Sequence, residues 1–293
     1  MQTGAYCTIK RSDFIGWDRS DEITGTLFDP LLWQQRMPVD ISDKGAVRTI
    51  TINRPEKLNA LSLEIATDIC NAVEAAATDS SVRCLLLTGA GRAFSTGGDV
   101  NEMGEHLPRA GDLFYQLTDQ LHDTVSAMLT MCKPVVTALN GIVAGGAIGM
   151  ALAGDVRIAA ESAQLLSAHF KRGFVPAGGA TYLLPRLIGL SRTQALFFGE
   201  RTLTSAEMHE WGLVHHLVLD GELAEFAMEE AQRLAAGPTQ AIGETKRLLA
   251  AADNLTAEEL LKLESEHNRD SGNTGNAVEG ITAFLEDREP DFV

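Results

Sequence analysis

Two adjacent glycines, Gly145 and Gly146, stand where the pattern of a strand gives way to the pattern of a helix. They precede the small apolar run 147–153, which predicts a helix buried on all sides. The first N–H groups of a helix have no partner within it, and they carry the positive end of the helix dipole. Because glycines leave those groups uncovered, the sequence predicts that a negatively charged group binds at the start of this helix.

The stretch 134–155 around these glycines changes its periodicity partway along. Its β-branched run 135–139 predicts a buried strand, which ends at the turn-forming pair Asn140-Gly141. The interior carries no charge, and three glycines recur at the four-residue spacing that packs membrane helices, so a transmembrane helix is one alternative. The turn pair argues against that alternative because it interrupts the span. From this stretch alone a second alternative stays open. In that alternative the glycines only allow neighbouring segments of the chain to pack closely.

The charge balance of the whole chain limits its partners. The 293 residues contain 24 lysines and arginines against 40 acidic residues, a net charge of −16, with the acidic residues scattered along the chain. This balance argues against nucleic acid as a partner, because neutralising phosphates needs a basic face. An anionic ligand must therefore be held by local groups.

Four widely spaced cysteines, Cys7, Cys70, Cys84 and Cys132, form no Cys-x-x-Cys pair. This spacing favours buried thiols in a reducing compartment over a disulfide framework or a metal site. The first residues lack the basic and apolar pattern of a secretory signal and carry several acids, unlike a transit peptide. We therefore expect a cytoplasmic protein with neither a metal ion nor a membrane partner.

Predicted strands and helices alternate between residues 46 and 199. Strands are predicted over 47–52, 82–88, 135–139, 156–160 and 164–170, and helices over 62–78 and 112–131. This alternation predicts an α/β fold of repeated βαβ units with right-handed crossovers. Residues 1–43 show no sustained period and predict an N-terminal extension.

Beyond Gly199 the pattern predicts helices alone. They run over 205–212, with Ser205 as the cap, and over 222–236, 238–252, 257–268 and 277–287. A helical tail that cannot bury its apolar faces on itself packs on the body of the protein or on another subunit. We therefore expect an oligomer.

A dinucleotide-binding loop is an alternative for the segment that follows the strand 82–88. Gly89-Ala-Gly91 comes directly after that strand, as in a Rossmann fingerprint, but Phe94 occupies the position of the third glycine. The sequence therefore argues against an oxidoreductase of the Rossmann type.

Seven segments, in family order between residues 46 and 293, resemble the crotonase superfamily, the enoyl-CoA hydratase/isomerase family. They include Arg92-Ala-Phe-Ser-Thr-Gly-Gly-Asp99 and Ala144-Gly-Gly146, and the others span 53–61, 133–141, 173–179, 203–214 and 279–288. The resemblance implies a crotonase-like spiral of ββα repeats over 44–200 and a C-terminal α-helical trimerisation region over 201–293. It also implies a homotrimer or a dimer of trimers, which is a hexamer.

The resemblance further implies an acyl-CoA thioester as substrate, with coenzyme A as part of that substrate and no other cofactor. The thioester carbonyl oxygen would lie between the N–H groups of Gly98 and Gly146. An enolate concentrates charge on this oxygen, and two preorganised donors lower the barrier to its formation by several kcal/mol. The family's adenine and pantetheine contacts correspond to Lys57, Leu58, Ala60, Thr96 and Asp99, with Arg54 or Arg288 near the phosphates.

The carboxylates that the family uses for acid/base chemistry are absent. A hydratase of the family has two glutamates, and their positions are Gly149 and His169 in this chain. The acidic residue of some isomerases and of the dehalogenase branch is replaced by Ala177. The resemblance therefore implies the family's binding frame with different, or absent, acid/base chemistry.

Two histidines are the candidate replacements. His169 takes the place of a catalytic glutamate, and an imidazole that titrates near neutral pH can move a proton where a carboxylate did. The alternative for His169 is a structural contact with a loop or a subunit. His122 corresponds to the water-activating histidine of the dehalogenase branch, with Asp123 beside it, although neighbours on a helix do not face each other. The alternative for His122 is a solvated helix face.

The resemblance also implies that Glu102 and Glu105 lie near the acyl pocket. The alternative for these two residues is a position on the surface.

Three functions are consistent with these residues. The first is an enolate-stabilising acyl-CoA enzyme of fatty acid metabolism, formally an enoyl-CoA hydratase/isomerase, that is, a lyase or an isomerase. The second is a hydrolase of C–C or thioester bonds that uses a histidine base. The third is a CoA-binding paralogue without turnover.

Overall fold

The computed structural model describes residues 37–292, which form two β-sheets and the helices packed against them. The strands are β1 (Val39–Lys44), β2 (Val47–Ile52), β3 (Cys84–Gly89), β4 (Ala93–Ser95), β5 (Val135–Leu139), β6 (Ile142–Ala144), β7 (Val156–Ala160), β8 (Gln164–Leu166), β9 (Thr202–Thr204) and β10 (His216–Val218). The helices are α1 (Leu63–Thr78), α2 (Val100–Glu105), α3 (Gly111–Thr130), α4 (Ala147–Leu152), α5 (Ala180–Phe198), α6 (Ser205–Glu210), α7 (Leu223–Ala235), α8 (Thr239–Ala251), α9 (Ala257–Gly272) and α10 (Gly275–Leu285).

The larger sheet has six strands in the order β1-β2-β3-β5-β7-β10. β1 pairs antiparallel with β2, and every other neighbouring pair in this sheet is parallel. The smaller sheet has the order β4-β6-β8-β9, with β8 and β9 antiparallel. From β3 to α5 the chain repeats strand, strand, helix, and the two strands of each pair enter different sheets. The predicted α/β class is confirmed.

β5 is the apolar strand that leads into the candidate site, and all of its residues are buried. Val135 and Leu139 belong to a core that includes residues of α1 and α3, whereas Val136 and Ala138 belong to a second core that includes residues of α7. A parallel strand covered on both faces needs apolar side chains on both, which explains its unbroken apolar run.

β1 departs from the predicted boundary of the N-terminal extension. It begins at Val39, inside the predicted extension 1–43, and it pairs along its whole length with β2. Every residue of β1 except Val39 is exposed, so this edge strand contributes little to the core. The rest of that predicted extension, residues 1–36, lies outside the described residues.

The prediction of helices alone beyond Gly199 is wrong. β9 extends the smaller sheet and β10 extends the larger one, and each has only 3 residues, too few to show a period. The cap of α6 is also Thr204 rather than Ser205, because the Thr204 hydroxyl accepts a hydrogen bond from the Glu207 amide at 3.2 Å. The predicted boundary between 44–200 and 201–293 therefore does not separate the sheets from a purely helical region.

Between residues 37 and 292, every helix is too short or too polar to cross a membrane.

Candidate active site

The two predicted oxyanion segments lie in direct contact. Gly97 has a φ of +80°, and a Cβ at this residue would lie 2.9 Å from the Ala144 carbonyl oxygen and 2.9 Å from the Gly146 amide nitrogen. Such distances are too short for a real side chain, and the positive φ is costly for any residue with a Cβ. Glycine at position 97 is therefore what allows the backbone before Gly98 to reach the backbone before α4.

The amides of Gly98 and Gly146 are unused by the protein itself. Both residues are half-buried, and within residues 37–292 neither amide donates a hydrogen bond to a protein acceptor. The hydrogen bonds around Gly98 are made by the residues on either side of it. The Leu61 amide donates to the Gly97 carbonyl, and the Asp99 amide donates to the Leu61 carbonyl, both at 2.8 Å. The convergence of the two free amides on one oxygen stays a prediction.

The residues predicted to contact coenzyme A lie on two segments that pair with each other. The Thr96 amide donates to the Leu58 carbonyl at 3.2 Å, and the Thr96 hydroxyl donates to the same oxygen at 3.3 Å. Together with the hydrogen bonds of Leu61 to Gly97 and Asp99, these bonds join the segment 57–61 to the segment 96–99. The structure thus brings together the five predicted contacts, Lys57, Leu58, Ala60, Thr96 and Asp99.

An ion pair between Asp99 and Arg54, just before the segment 57–61, links the two segments. Arg54 Nη1 lies 2.8 Å from Asp99 Oδ2, and Lys57 Nζ lies 4.0 Å from the same oxygen. Burial by itself raises the pKa of Asp99, but a hydrogen bond from the Asn101 amide, together with the charges of Arg54 and Lys57, outweighs it and holds the pKa below its ordinary 3.8. Asp99 is therefore an ionised, buried carboxylate, and two cations lie beside the predicted coenzyme A segment.

Asn59 is a positioning residue that the sequence did not reveal. It is fully buried with a φ of +55°, and its side-chain amide donates to the Ala90 carbonyl at 3.0 Å and to the Ala93 carbonyl at 2.7 Å. Its side-chain oxygen accepts a hydrogen bond from the Arg54 amide at 2.8 Å. An asparagine between two small or apolar residues of a short loop was the available signal, because asparagine tolerates the left-handed conformation.

The first of the missing carboxylates has no room in this fold. A Cβ at Gly149 would overlap the carbonyl oxygen of Gly178, and a Cβ at Gly178, which has a φ of +65°, would overlap the carbonyl oxygen of Gly146. The turn 177–179 therefore packs backbone to backbone on α4. Any residue with a side chain at position 149 would therefore displace this turn.

His169 is buried, and its imidazole ring makes no hydrogen bond with the rest of the described chain. It is 6% exposed, and both ring nitrogens lack a partner. Burial, with a smaller contribution from the positive charge of Arg172, lowers the pKa of His169 below 6.5, so the imidazole is neutral at pH 7. Its ring meets the Phe197 ring edge to face, with centroids 6.3 Å apart. An imidazole in this state can accept a proton.

The loop that starts at His169 contacts both α3 and the segment that contains Gly146. Phe174 packs edge to face on Phe114 of α3, with ring centroids 4.8 Å apart, and Gly178 meets Gly146 as described above. One short loop therefore carries the unpartnered imidazole and contacts both the oxyanion segment and α3. Ser167, just before this loop, is 1% exposed, and its hydroxyl has no hydrogen-bond partner within residues 37–292. No sequence pattern pointed to this residue.

His122 lies on an exposed face of α3, about 100° around the helix from Leu121. It is exposed, as is Asp123, whereas Leu121 lies within 3.0 Å of the Cβ position of Gly146 and Val125 within 3.1 Å of that of Gly179. Successive residues on a helix point about 100° apart. The geometry thus favours His169 over His122 as the group near the predicted oxyanion site.

A family model described as enoyl-CoA hydratase/isomerase matches residues 42–293. The chain belongs to the enoyl-CoA hydratase/isomerase family, within the crotonase superfamily. It is 37% identical over 251 residues to the 1,2-epoxyphenylacetyl-CoA isomerase of Escherichia coli (strain K12), covering 85% of this chain and 95% of that relative. It is 30% identical over 252 residues to the 2,3-dehydroadipyl-CoA hydratase of the same strain, covering 86% and 97%.

The solved structures of the family agree with this membership. The crystal structure of an enoyl-CoA hydratase from Bacillus anthracis matches with a TM-score of 0.82 at 29% identity, covering 87% of this chain and 99% of that one. The chain is therefore an acyl-CoA enzyme by family, with the crotonase-like α/β fold.

The other ionisable residues that the family pattern suggested have different partners. The Glu102 carboxylate accepts a hydrogen bond from the Leu63 amide at 3.1 Å, at the start of α1, and Glu105 is exposed. Arg288 is bound to Glu279, with Nη1 and Oε1 2.6 Å apart. Of the two arginines suggested for the coenzyme A phosphates, Arg54 is therefore the one that lies beside the predicted coenzyme A segment.

Proposed function

We propose that this member of the enoyl-CoA hydratase/isomerase family is an acyl-CoA isomerase that stabilises a thioester enolate between the amides of Gly98 and Gly146. The observation that carries the proposal is the contact of Gly97 with the Gly146 amide, which places two unused N–H donors on neighbouring backbone segments. Donors fixed before the reaction act on the charge as it develops and need no reorganisation.

The acid and base groups at the candidate site support isomerisation over hydration. Hydration requires a water molecule to be held and activated, and the family does this with two glutamates, of which one position is filled by the Gly178 carbonyl. Moving a double bond requires only one base, which takes a proton from one carbon of the enolate system and returns it to another. Neutral His169, with both ring nitrogens free, suits that role. The isomerase named among the relatives supports the same reaction class.

Lys57, Leu58, Ala60, Thr96 and Asp99 form the proposed coenzyme A frame. The carbonyl and N–H groups of the paired segments 57–61 and 96–99 would bind the adenine and pantetheine parts. Arg54 and Lys57 would meet the phosphates, since both cations lie within 4.0 Å of Asp99 at this edge. The frame needs no cofactor other than the substrate's own coenzyme A.

The apolar surface of the C-terminal helices supports a homotrimer or a dimer of trimers. Leu249 on α8 is 70% exposed, and on α10 Ile281 is 62% exposed and Phe284 is 84% exposed. Large apolar side chains exposed on these two helices favour association with another subunit. Residues 239–285 are the proposed subunit contact.

The test is to incubate the purified protein with a 3-enoyl-CoA and follow the products by NMR. A 2-enoyl-CoA as main product, lost in His169→Gln, is the expected result. Accumulation of a 3-hydroxyacyl-CoA would assign hydration instead, and release of free coenzyme A would assign a histidine-dependent hydrolase. Tight binding of the thioester without any product would leave a binding paralogue and overturn the proposal.

A further inference from the structure

We propose that Ser167 is a positioning residue for His169, and that it acts through a water molecule bound by the Ser167 hydroxyl and one imidazole nitrogen. This water fixes which nitrogen of His169 carries the hydrogen and which one faces the substrate. The proposal rests on the proposed function, because it takes His169 as the base.

Ser167 and His169 are buried polar side chains that stand two residues apart. Ser167 is 1% exposed and His169 is 6% exposed, and neither the Ser167 hydroxyl nor either imidazole nitrogen has a hydrogen-bond partner among the described residues. Buried polar groups in folded proteins nearly always bond to protein or to an ordered water. Three free polar atoms so close together in the chain therefore indicate a site for a small polar molecule.

The backbone brings both side chains to the buried side of their segment. Burial alternates from residue 163 to residue 169, so that Leu165, Ser167 and His169 are buried while the residues between them are more exposed. The Cα atoms of Ser167 and His169 are at most about 7 Å apart, since only two residue steps separate them. A water that bridges two polar atoms spans about 5.6 Å, two hydrogen bonds of about 2.8 Å. The reach of one water therefore matches the separation of two side chains that make no direct hydrogen bond.

The loop holds the backbone of His169 in place, but no hydrogen bond within the described chain orients its ring. The His169 carbonyl accepts hydrogen bonds from the Arg172 amide at 3.0 Å and from the Phe174 amide at 3.1 Å. Phe197 packs edge to face on the ring, and an apolar ring does not distinguish the two nitrogens. The tautomer of a neutral histidine is set by the hydrogen bond that its second nitrogen makes. Ser167 is the free buried side chain closest in the chain that can supply this bond.

The bridging water completes the proton transfer assigned to His169. A neutral imidazole has one N–H and one lone pair. While its N–H is donated to the water, the other nitrogen takes a proton from one carbon of the substrate, and the electrons of that C–H bond pass to the enolate. The water and the Ser167 hydroxyl stabilise the imidazolium until the same nitrogen returns the proton to another carbon. The water and Ser167 are unchanged at the end, so no further reactant is needed.

The first experiment observes the tautomer directly, by nitrogen NMR near neutral pH on the full chain with isotope-labelled histidine. The signals of His169 are those that disappear in His169→Gln. We expect one tautomer in the wild type, with one protonated and one unprotonated nitrogen, and averaged signals from both tautomers in Ser167→Ala. Identical His169 signals in the two proteins would overturn the proposal. The signals need no turnover, so a wild type with one tautomer that fails to isomerise a 3-enoyl-CoA would contradict only the proposed function.

The second experiment compares Ser167→Ala with Ser205→Ala, which changes another buried serine. Ser205 is 5% exposed, and its hydroxyl donates to the Glu161 carbonyl at 2.6 Å. We expect Ser167→Ala to lower kcat at least about tenfold, with KM and the urea midpoint little changed. Ser205→Ala should show the reverse, a wild-type kcat with a lower urea midpoint, because the Glu161 carbonyl loses its donor. A wild-type kcat in Ser167→Ala, or a lower urea midpoint in place of a lower kcat, would overturn the proposal.

Discussion

Gly149 and Gly178 pack so closely that a side chain on either would occupy backbone of the other segment. A Cβ at Gly149 overlaps the Gly178 carbonyl oxygen, and the α4 backbone in turn meets the turn 177–179 at Gly146. The absence of a side chain at position 149 is therefore coupled to the path of the loop that starts at His169. The space beside position 149 is filled by backbone.

Gly149→Ala tests that packing. We expect the variant to lose about 1–3 kcal/mol of unfolding free energy, because the new methyl group has no space. Gly272→Ala is the control, since Gly272 ends α9 with open space around its Cβ position, and it should be as stable as the wild type or slightly more stable. Denaturation in urea measures both. A Gly149→Ala variant of wild-type stability would mean that the turn 177–179 does not pack on α4.

His169→Gln should remove most of the isomerase activity and its dependence on pH. Burial lowers the pKa of His169 below 6.5, so the base is neutral at pH 7 and becomes protonated only as the pH falls further. The wild-type kcat/KM should be flat above pH 6.5 and should fall below it, whereas the residual rate of the variant should not follow this curve. We expect a loss of about 10²–10⁴-fold.

His122→Gln is the matched control for His169→Gln, because His122 is exposed on α3 whereas His169 is buried. It should retain wild-type kcat and the wild-type pH profile. A larger loss in His122→Gln than in His169→Gln would exchange the roles of the two histidines and would favour water activation from α3.

Asp99→Asn should loosen the frame that holds the predicted coenzyme A segment. The Asp99 side chain is 5% exposed and paired with Arg54, so we expect a loss of about 1.5–3 kcal/mol of stability and a raised KM with little change in kcat. Asp43→Asn is the control, since the Asp43 side chain is 46% exposed in its pair with Arg48 and should cost less than about 1 kcal/mol. Equal costs measured by thermal unfolding would contradict the assigned role of Asp99.

Phe284→Asp should reduce the size of the assembly. Phe284 is 84% exposed on α10, and a carboxylate there would be buried without a partner in the proposed subunit contact. Size-exclusion chromatography with light scattering should give a trimer or hexamer for the wild type and smaller species for the variant. Tyr115→Asp, equally exposed but outside α8–α10, should keep the wild-type mass. An unchanged mass in Phe284→Asp would place the subunit contact elsewhere.

The sequence predicts those parts of the fold whose signals are local. The run 135–139 and the helix over 62–78 appear in the structure as predicted, and the Ser62 hydroxyl accepts a hydrogen bond from the Ile65 amide at 3.3 Å at the start of that helix. The paired glycines at 145 and 146 do precede a buried helix. These features depend on neighbours in the chain, so a pattern of neighbours reveals them.

The parts that were missed depend on distant segments. The direction of the Glu102 side chain is set by the Leu63 amide on another helix. The burial of His169 depends on Phe197, and the closed space at Gly149 depends on Gly178. No periodicity in the chain carries this information, because each of these contacts joins residues that are far apart in sequence.

The most direct test of the enolate site is a crystal structure of the protein with hexanoyl-CoA bound. We predict that the thioester oxygen lies within about 2.7–3.2 Å of both the Gly98 and the Gly146 amide nitrogens. A thioester oxygen that is hydrogen-bonded to only one of these amides, or to neither, would contradict the account.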